Sequence, residues 1–306
     1  MSKFWNTVKR YGRINPLALE DFDFGRQLGS GHEATVWEAY PKMGNKVTLQ
    51  LPRTMALRQV RTVGYRKDQL EQLENGSKIH SKMCVHPNIS THYWTFKDKE
   101  NYFELVEYLR GKTVEELHFP EDMDIGRKEF IALSIMKEVM EAVRYMHRNG
   151  TSHGDICPSN IMVLDLNNNG NVLNDDPAVR LIDFGYAQSW NIGGERSAPK
   201  SHKLGYGKYT APEVLWKAHS ESKADIFSVG AVLYFLLLGR PLGPDDSPDN
   251  FNFKKFDEPV DDPVWKSISP ESRNLIKDCL NHKPDYRPNI DLARRTVDSV
   301  LRYGFS

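Results

Sequence analysis

The chain has 306 residues, 39% of them hydrophobic, and its 41 basic and 41 acidic residues give a formal net charge of zero. A chain of this length can bury a large core, as one large or two small domains. The balanced charge gives no support for nucleic acid or an anionic membrane as a partner, so neither is expected.

The cysteines and the apolar runs indicate where in the cell the protein is located. Cys84, Cys157 and Cys279 are unclustered and odd in number, which argues against a disulfide framework or a zinc site and for reducing surroundings. The opening MSKFWNTVKR lacks the apolar run of a signal peptide. The longest apolar run, 227–239, is too short for a membrane span and predicts a buried helix. We therefore expect a cytoplasmic protein, with the nucleus as a second location.

The first part of the chain reads as strands followed by one helix. After a polar lead over 1–21, residues from Phe22 predict a strand, a glycine turn and a strand, and the alternation in KVTLQLP predicts a third strand around 47–51. A helix is expected over 66–83, ended by HPNI. Two more strands, THYWTF and NYFELVEY, lead to the connector LRGK. We place a small lobe at 22–108.

The second part of the chain reads as mainly helical, over 112–302. A long amphipathic helix is predicted for 127–149, capped by Gly150. The loop SHGDICPSN and the strands IMVLDL and VRLIDF follow. A segment with little periodicity covers 186–210. Helices are then expected to the end of the chain, interrupted by a loop at 241–263.

Several short motifs, in a fixed order, resemble the protein kinase superfamily over 22–302. They are Gly29-x-Gly31, His86-Pro87-Asn88, His153-x-Asp155, Asn160, Asp183-Phe184-Gly185, Ala211-Pro212-Glu213, Asp225 and Arg287. The resemblance implies an α+β, bilobal protein kinase fold with a small β-rich N-lobe and a larger α-helical C-lobe. It also implies that Glu213 pairs with Arg287 and that Asp225 ties the helix at 227–238 to the His153 loop.

The same resemblance implies a site for ATP and Mg²⁺. Asp155 takes the catalytic position, weak or vestigial here, and Asn160 and Asp183 take the metal-binding positions. The nucleotide-binding positions are Leu28, Gly29, Ser30, Gly31, Val36, Thr48, Gln50, Val106, Glu107, Leu109, Met162 and Ile182. Taken singly, the apolar members are equally explained by ordinary core packing.

The sequence predicts that the small lobe lacks the lysine that binds the ATP phosphates. Active kinases carry a lysine on the third strand and pair it with a glutamate on the first helix. Val47-Thr48-Leu49-Gln50 puts Gln50 at the lysine position and, by strand alternation, turns Thr48 and Gln50 toward the nucleotide. Ser77 falls at the glutamate position, with Glu74 one turn earlier as a candidate to reach inward. Loss of both partners suggests a site kept neutral and folded; neutral drift is the alternative.

The catalytic loop repeats this pattern. Gly154 replaces the arginine that binds a phosphate on the activation loop. Cys157 replaces the lysine that stabilises the transferred phosphate, and Ser159 stands where tyrosine kinases carry an arginine. Because phosphoryl transfer depends on positioning and charge neutralisation, these losses remove much of the protein's contribution. Cys157 could be a reactive thiol, but with no His or Lys beside it an inert one is expected. His32 is expected to be a solvent-facing loop residue.

These deficits predict a pseudokinase whose nucleotide binding depends on Mg²⁺. The sequence is similar to the sterile-20-related kinase adaptors at Val47–Gln50, at HPNI followed by Thr95-Phe96, and at Ser228-Val229-Gly230. That resemblance implies an adaptor that activates or scaffolds a partner serine/threonine kinase together with a helical-repeat scaffold protein. Two alternatives stay open: an active serine/threonine kinase with a rewired, lysine-less ATP site, and a structural module that binds no nucleotide.

Overall fold

The computed structural model describes residues 17–31, 34–42, 50–164, 166–167, 172, 175–190, 207–215, 221–243 and 256–304. Contacts divide the chain into two units. The first runs through Val85 and resumes at Ser90–Arg110, and the second combines His86–Ile89 with the chain from Gly111 onward. The first unit contains a sheet and the second is mainly helical, which confirms the predicted α+β class.

The first unit is built on a five-stranded antiparallel sheet. Its strands are β1 (Phe22–Ser30), β2 (Ala34–Pro41), β3 (Met55–Arg61), β4 (His92–Lys97) and β5 (Asn101–Glu107), in the order β1-β2-β3-β5-β4. Helix α1 (Lys67–Met83) follows β3. An apolar core of Leu17, Phe22, Met55, Leu57, Phe96, Phe103 and Leu105 fixes the sheet, and the rings of Phe22 and Phe96 meet edge to face at 5.7 Å.

The third strand does not lie where the alternating pattern predicts. Val47, Thr48 and Leu49 fall outside the described residues, and Gln50 is an exposed residue ahead of Met55–Arg61. The real strand pairs on both sides, with β2 and with β5. Since Met55, Ala56 and Leu57 are all buried, the strand begins with a continuous apolar run, and a search for alternation favours the wrong segment. The placement of Gln50 on this strand is wrong.

The second unit is mainly helical. Its helices are α2 (Ile125–Arg148), α3 (Pro212–Leu215), α4 (Glu221–Leu238), α5 (Pro263–Ser267), α6 (Pro270–Cys279) and α7 (Ile290–Tyr303). Its short strands are β6 (Lys112–Thr113), β7 (Thr151–Ser152), β8 (Ile161–Val163), β9 (Val179–Leu181) and β10 (Gln188–Ser189). The Asp124 carboxylate caps α2 by accepting from the Arg127 amide at 3.0 Å, and Gly150, at φ 66°, lies just after its end.

Two buried acidic residues hold the second unit together, as the motif comparison implies. Asp225 accepts hydrogen bonds from the His153 amide at 3.0 Å and the Gly154 amide at 2.9 Å, so α4 anchors the loop that carries Asp155. Glu213 forms a bidentate pair with Arg287 at 2.6 and 2.7 Å, and the Arg287 side chain is fully buried. Both implied contacts are confirmed.

No helix within the described residues combines the length and the apolar character that crossing a bilayer requires.

Removing Arg287 should destabilise the protein strongly. Arg287→Met leaves the Glu213 carboxylate buried without its bidentate partner, which is expected to cost about 3–5 kcal/mol in the free energy of unfolding. The matched control, Lys266→Ala, removes an exposed partner 3.9 Å from Asp261 and should cost less than about 1 kcal/mol. Urea unfolding of the full chain gives both values, and similar losses for the two variants would contradict the structural role of Arg287.

Candidate functional site

The glycine turn joins β1 to β2. Gly29 lies opposite Val36 and Ser30 opposite Thr35, and the Gly31 amide donates to the Ala34 carbonyl at 2.9 Å. A β-carbon added to Gly29 would meet no atom within 4 Å. Local packing therefore does not require a glycine at this position. A glycine with open space around it suits the close approach of a ligand to the backbone.

Strand β3 carries a buried cation that the sequence analysis missed. Arg58 lies directly opposite Glu104 of β5, and its Nη1 donates to Glu104 Oε2 at 2.9 Å. The two residues are 9% and 6% exposed, so the charges are shielded from water. Met55-Ala56-Leu57-Arg58 fits the family's Val-Ala-Ile-Lys pattern with arginine in the lysine position, and this is the signal that could have found it. The prediction of a cation-free strand is wrong.

The carboxylate that partners this cation comes from the sheet. Ser77, at the helix position where a glutamate is usual, donates from its hydroxyl to Glu104 Oε1 at 2.5 Å and accepts from the Tyr102 hydroxyl at 2.7 Å. Burial raises the pKa of Tyr102 to about 12, so this hydroxyl remains a donor at neutral pH. Arg58, Glu104, Ser77 and Tyr102 form one hydrogen-bonded chain.

Glu74 does not reach this hydrogen-bonded group. It accepts a hydrogen bond from Lys97 of β4 at 2.6 Å, in a pair in which Lys97 is 61% exposed. The expectation that Glu74 turns inward is wrong, because a nearby lysine on the surface engages it.

The remaining candidates of the first unit lie on or near its strands. Leu28 is on β1 and partly exposed, and Val36 is half-buried on β2. Val106, also half-buried, pairs with Ala56 across the β3–β5 ladder. Glu107 ends β5, where its amide and carboxylate bind the Thr91 backbone at 2.8 and 3.0 Å, and Leu109 follows two residues later. Their role in nucleotide binding stays a prediction.

In the second unit, the structure brings Asp155 and Asn160 together. Asn160 Nδ2 donates to the Asp155 carbonyl at 2.9 Å and to its Oδ2 at 2.7 Å. These bonds fix the orientation of the Asp155 carboxylate. They also use the amino end of the Asn160 side chain, which identifies its carbonyl oxygen as the end suited to a metal.

The loop of Asp155 is bonded to the segment of Asp183. The Ile182 amide donates to the Asn160 carbonyl at 2.9 Å, and the His153 ring binds the Ile182 carbonyl at 3.1 Å. Burial lowers the pKa of His153, so the ring is neutral and donates through Nε2. Phe184 packs edge to face on this ring at 4.9 Å.

Asp183 has an unusual backbone conformation. Its φ of 57° makes it the one non-glycine residue with positive φ within the described part of the chain, and its Oδ1 accepts from the Gly185 amide at 3.0 Å. Aspartate tolerates this region better than most residues, and such conformations cluster at functional sites. Met162, on β8 opposite Arg180, and Ile182 are half-buried.

The oxygen donors of Asn160 and Asp183 fit Mg²⁺. This ion prefers carboxylate and carbonyl oxygens and usually binds through one or two carboxylates together with substrate phosphates and water. Within the described residues, no cluster of three His, Cys, Asp or Glu side chains suited to a metal occurs. Two protein donors are sufficient for a magnesium ion that arrives with a nucleotide.

The two replaced positions of the catalytic loop supply no positive charge. Cys157 is 2% exposed, with its Sγ 3.2 Å from the Ser159 hydroxyl, and burial raises the pKa of the thiol far above its usual value. Gly154 has φ 77°, and a β-carbon there would lie 2.6 Å from the Tyr186 carbonyl oxygen. A larger residue at 154 would therefore require Tyr186 to shift.

The paired Asp155 and Asn160, together with Asp183 beside the Phe184-Gly185 turn, define the class as a protein kinase fold. Comparison with known families agrees, because the protein kinase domain matches residues 22–297, and the chain belongs to the protein kinase family.

Three relatives are serine/threonine or calcium-dependent kinases. The serine/threonine-protein kinase ULK3 of Xenopus laevis is 29% identical over 89% of this chain and 54% of its own length. The calcium-dependent protein kinase 4 of Plasmodium berghei is 34% identical over 65% of this chain and 35% of its own length. The probable serine/threonine-protein kinase fhkC of Dictyostelium discoideum is 27% identical over 93% and 44%. The chain therefore spans about a third to a half of the length of these relatives.

The three cysteines should be unreactive in the folded protein. All are buried, and burial raises the thiol pKa values, that of Cys279 to about 12. Because only the thiolate reacts, iodoacetamide at neutral pH should label none of them rapidly, whereas all three should react after denaturation in guanidinium chloride. Mass spectrometry of timed samples counts the labels. A rapid label that disappears in Cys157→Ser would contradict the burial of this thiol.

Proposed function

We propose that the chain is the catalytic domain of a serine/threonine protein kinase that binds ATP with Mg²⁺ and contacts its phosphates through Arg58. The observation that carries the proposal is the buried pair between Arg58 of β3 and Glu104 of β5, together with the hydrogen-bonded Asp155, Asn160 and Asp183. The names of the relatives, which are serine/threonine and calcium-dependent kinases, support the same class.

Arg58 suits the phosphate-binding role of the family's lysine. In protein kinases the residue at this strand position contacts ATP phosphates while an acidic partner fixes its direction. Arginine keeps its positive charge throughout the physiological pH range, and its planar guanidinium can bind two phosphate oxygens at once. Glu104, at 2.9 Å, is the acidic partner.

Asp155 would orient the substrate hydroxyl and accept its proton, because the hydrogen bonds from Asn160 hold its carboxylate in one direction. Asn160 and Asp183 would hold Mg²⁺, which neutralises phosphate charge when bound. The open space at Gly29 suits a glycine turn whose backbone, with Ser30 and Gly31, lies against phosphates.

In the first unit, the base of ATP would be bound by the apolar side chains of Leu28, Val36 and Val106 and by the backbone groups of Glu107–Leu109 after β5. The assignment of Met162 and Ile182 of the second unit to nucleotide binding stays a prediction from the family resemblance. Gln50, which is exposed and ahead of β3, and Thr48, which lies outside the described residues, have no part in this assignment.

A second candidate is a nucleotide-binding pseudokinase adaptor. The buried neutral thiol of Cys157 favours it, since the loop lysine that steadies the transferred phosphate is replaced by a group that carries no charge. In this form the protein would activate or scaffold a partner serine/threonine kinase, together with a helical-repeat scaffold protein. Phosphate transfer separates the two candidates.

The purified chain should transfer phosphate from γ-labelled Mg·ATP to itself or to myelin basic protein. Asp155→Asn should lower the rate at least about a hundredfold, because the general base is lost. Lys266→Ala, an exposed residue of the second unit, is the matched control and should behave as wild type. Transfer that persists at the wild-type rate in Asp155→Asn would contradict the assignment of Asp155 as the general base. No transfer from wild-type protein that binds Mg·ATP would reject the first candidate in favour of the pseudokinase.

Binding of ATP should require both Mg²⁺ and Arg58. Titration calorimetry should show that Arg58→Met lowers the affinity for Mg·ATP at least about tenfold, because a tenfold loss corresponds to one charge-assisted hydrogen bond. Arg58→Lys should lower the affinity less, because it keeps the positive charge. Asp183→Ala, or EDTA with the wild type, should remove most of the remaining binding. Equal affinities with and without the metal would contradict the assignment of Asn160 and Asp183.

A further inference from the structure

We infer that the phosphate-binding cation of this protein is positioned by the sheet, with Glu104 as the positioning residue, and that the position of helix α1 does not control it. This inference rests on the proposed role of Arg58 in binding ATP. It concerns regulation, because kinases commonly switch activity by moving the helix that carries the acidic partner of the strand cation.

The sheet fixes the relative position of the two residues. Arg58 and Glu104 are direct partners in a ladder whose register continues on either side, from Met55 opposite Glu107 to Arg61 opposite Asn101. Residues directly opposite in antiparallel strands keep their β-carbons close together. The ladder therefore keeps the β-carbons of the pair close together whatever the position of α1, and it lies in the interior of the five-stranded sheet.

Helix α1 contributes only a neutral group to this pair. The Ser77 hydroxyl has one hydrogen, which it donates to Glu104 Oε1, and it accepts from Tyr102, which is itself a residue of β5. An outward movement of α1 would cost Glu104 the hydrogen bond from the Ser77 hydroxyl, while the contact with Arg58 remained. Both bonds have a carboxylate acceptor, but only the contact with Arg58 also joins two opposite charges.

The side chains of this hydrogen-bonded group have different roles. Each oxygen of Glu104 has its own partner, with Ser77 on Oε1 and Arg58 on Oε2. Glu104 therefore supplies a charged contact that directs the guanidinium, whereas Ser77 restricts the rotation of the carboxylate. Loss of the Glu104 charge should accordingly disturb phosphate binding more than loss of the Ser77 hydroxyl.

The test measures affinities of the full chain for Mg·ATP and for adenosine by titration calorimetry. Glu104→Gln should weaken Mg·ATP about tenfold and leave adenosine, which has no phosphates, within about twofold. Ser77→Ala should weaken Mg·ATP about threefold at most. Glu74→Gln is the matched control, because it removes a carboxylate from the same helix that pairs with Lys97 instead, and both affinities should match wild type.

The results distinguish this inference from the proposed function. If Arg58→Met binds Mg·ATP as tightly as wild type, the role of Arg58 itself fails. If Arg58→Met weakens binding but Glu104→Gln does not, only the inference is overturned. A loss in Ser77→Ala equal to that in Glu104→Gln also overturns it, since the helix would then control the cation. A parallel loss of ATP and adenosine affinity in Glu104→Gln would indicate general damage and would overturn it as well.

A more conservative variant guards against misfolding. Glu104→Asp retains the charge but shortens the side chain by one methylene group, so the guanidinium loses its correct direction without an unpaired buried charge. Its affinity for Mg·ATP should fall further than that of Ser77→Ala, with adenosine unaffected. An affinity equal to or above that of Ser77→Ala would overturn the inference even where Glu104→Gln does not fold.

Discussion

A charged side chain buried in a sheet is stable only when a side chain of opposite charge lies beside it, and the first unit satisfies this constraint with an ion pair. Arg58 and Glu104 satisfy each other across two paired strands, and Ser77 and Tyr102 complete the hydrogen bonding of the carboxylate. The pair keeps a positive charge on the third strand of a kinase fold although both the usual lysine and the usual helix glutamate are absent. Arg58, Ser77 and Glu104 form one consistent set, because the charge of Arg58 and the charge of Glu104 are paired with each other and Ser77 is neutral.

In the second unit, backbone amides, a neutral ring and a side-chain amide hold the loop of Asp155, and the His147 ring also binds the Asp225 carboxylate, at 2.9 Å. Backbone amides of His153 and Gly154 bind the Asp225 carboxylate, the neutral His153 ring binds the Ile182 carbonyl, and the Asn160 amide orients Asp155. The loop can therefore keep its shape without the arginine and lysine that Gly154 and Cys157 replace.

The fold could be predicted from the sequence because its motifs are local and occur in a fixed order. The pairing of Glu213 with Arg287 and the anchoring by Asp225 followed from the same motifs. The third strand was mislocated because the search for alternation selected KVTLQLP, whereas the buried strand begins with the continuous apolar run Met55-Ala56-Leu57. The role of Glu104 was beyond prediction from one sequence, since it depends on the register of strands 46 residues apart. Ser77 was correctly placed on the helix, but its hydroxyl gave no sign of a carboxylate on a neighbouring strand.

The origin of Glu104 in strand β5 has a pharmacological consequence. A small molecule that displaced helix α1 outward would break the hydrogen bond between Ser77 and Glu104, but Glu104 would remain opposite Arg58 in the sheet. A ligand with a planar acidic group could bind the guanidinium of Arg58 through two parallel hydrogen bonds, a geometry that a lysine ammonium does not offer.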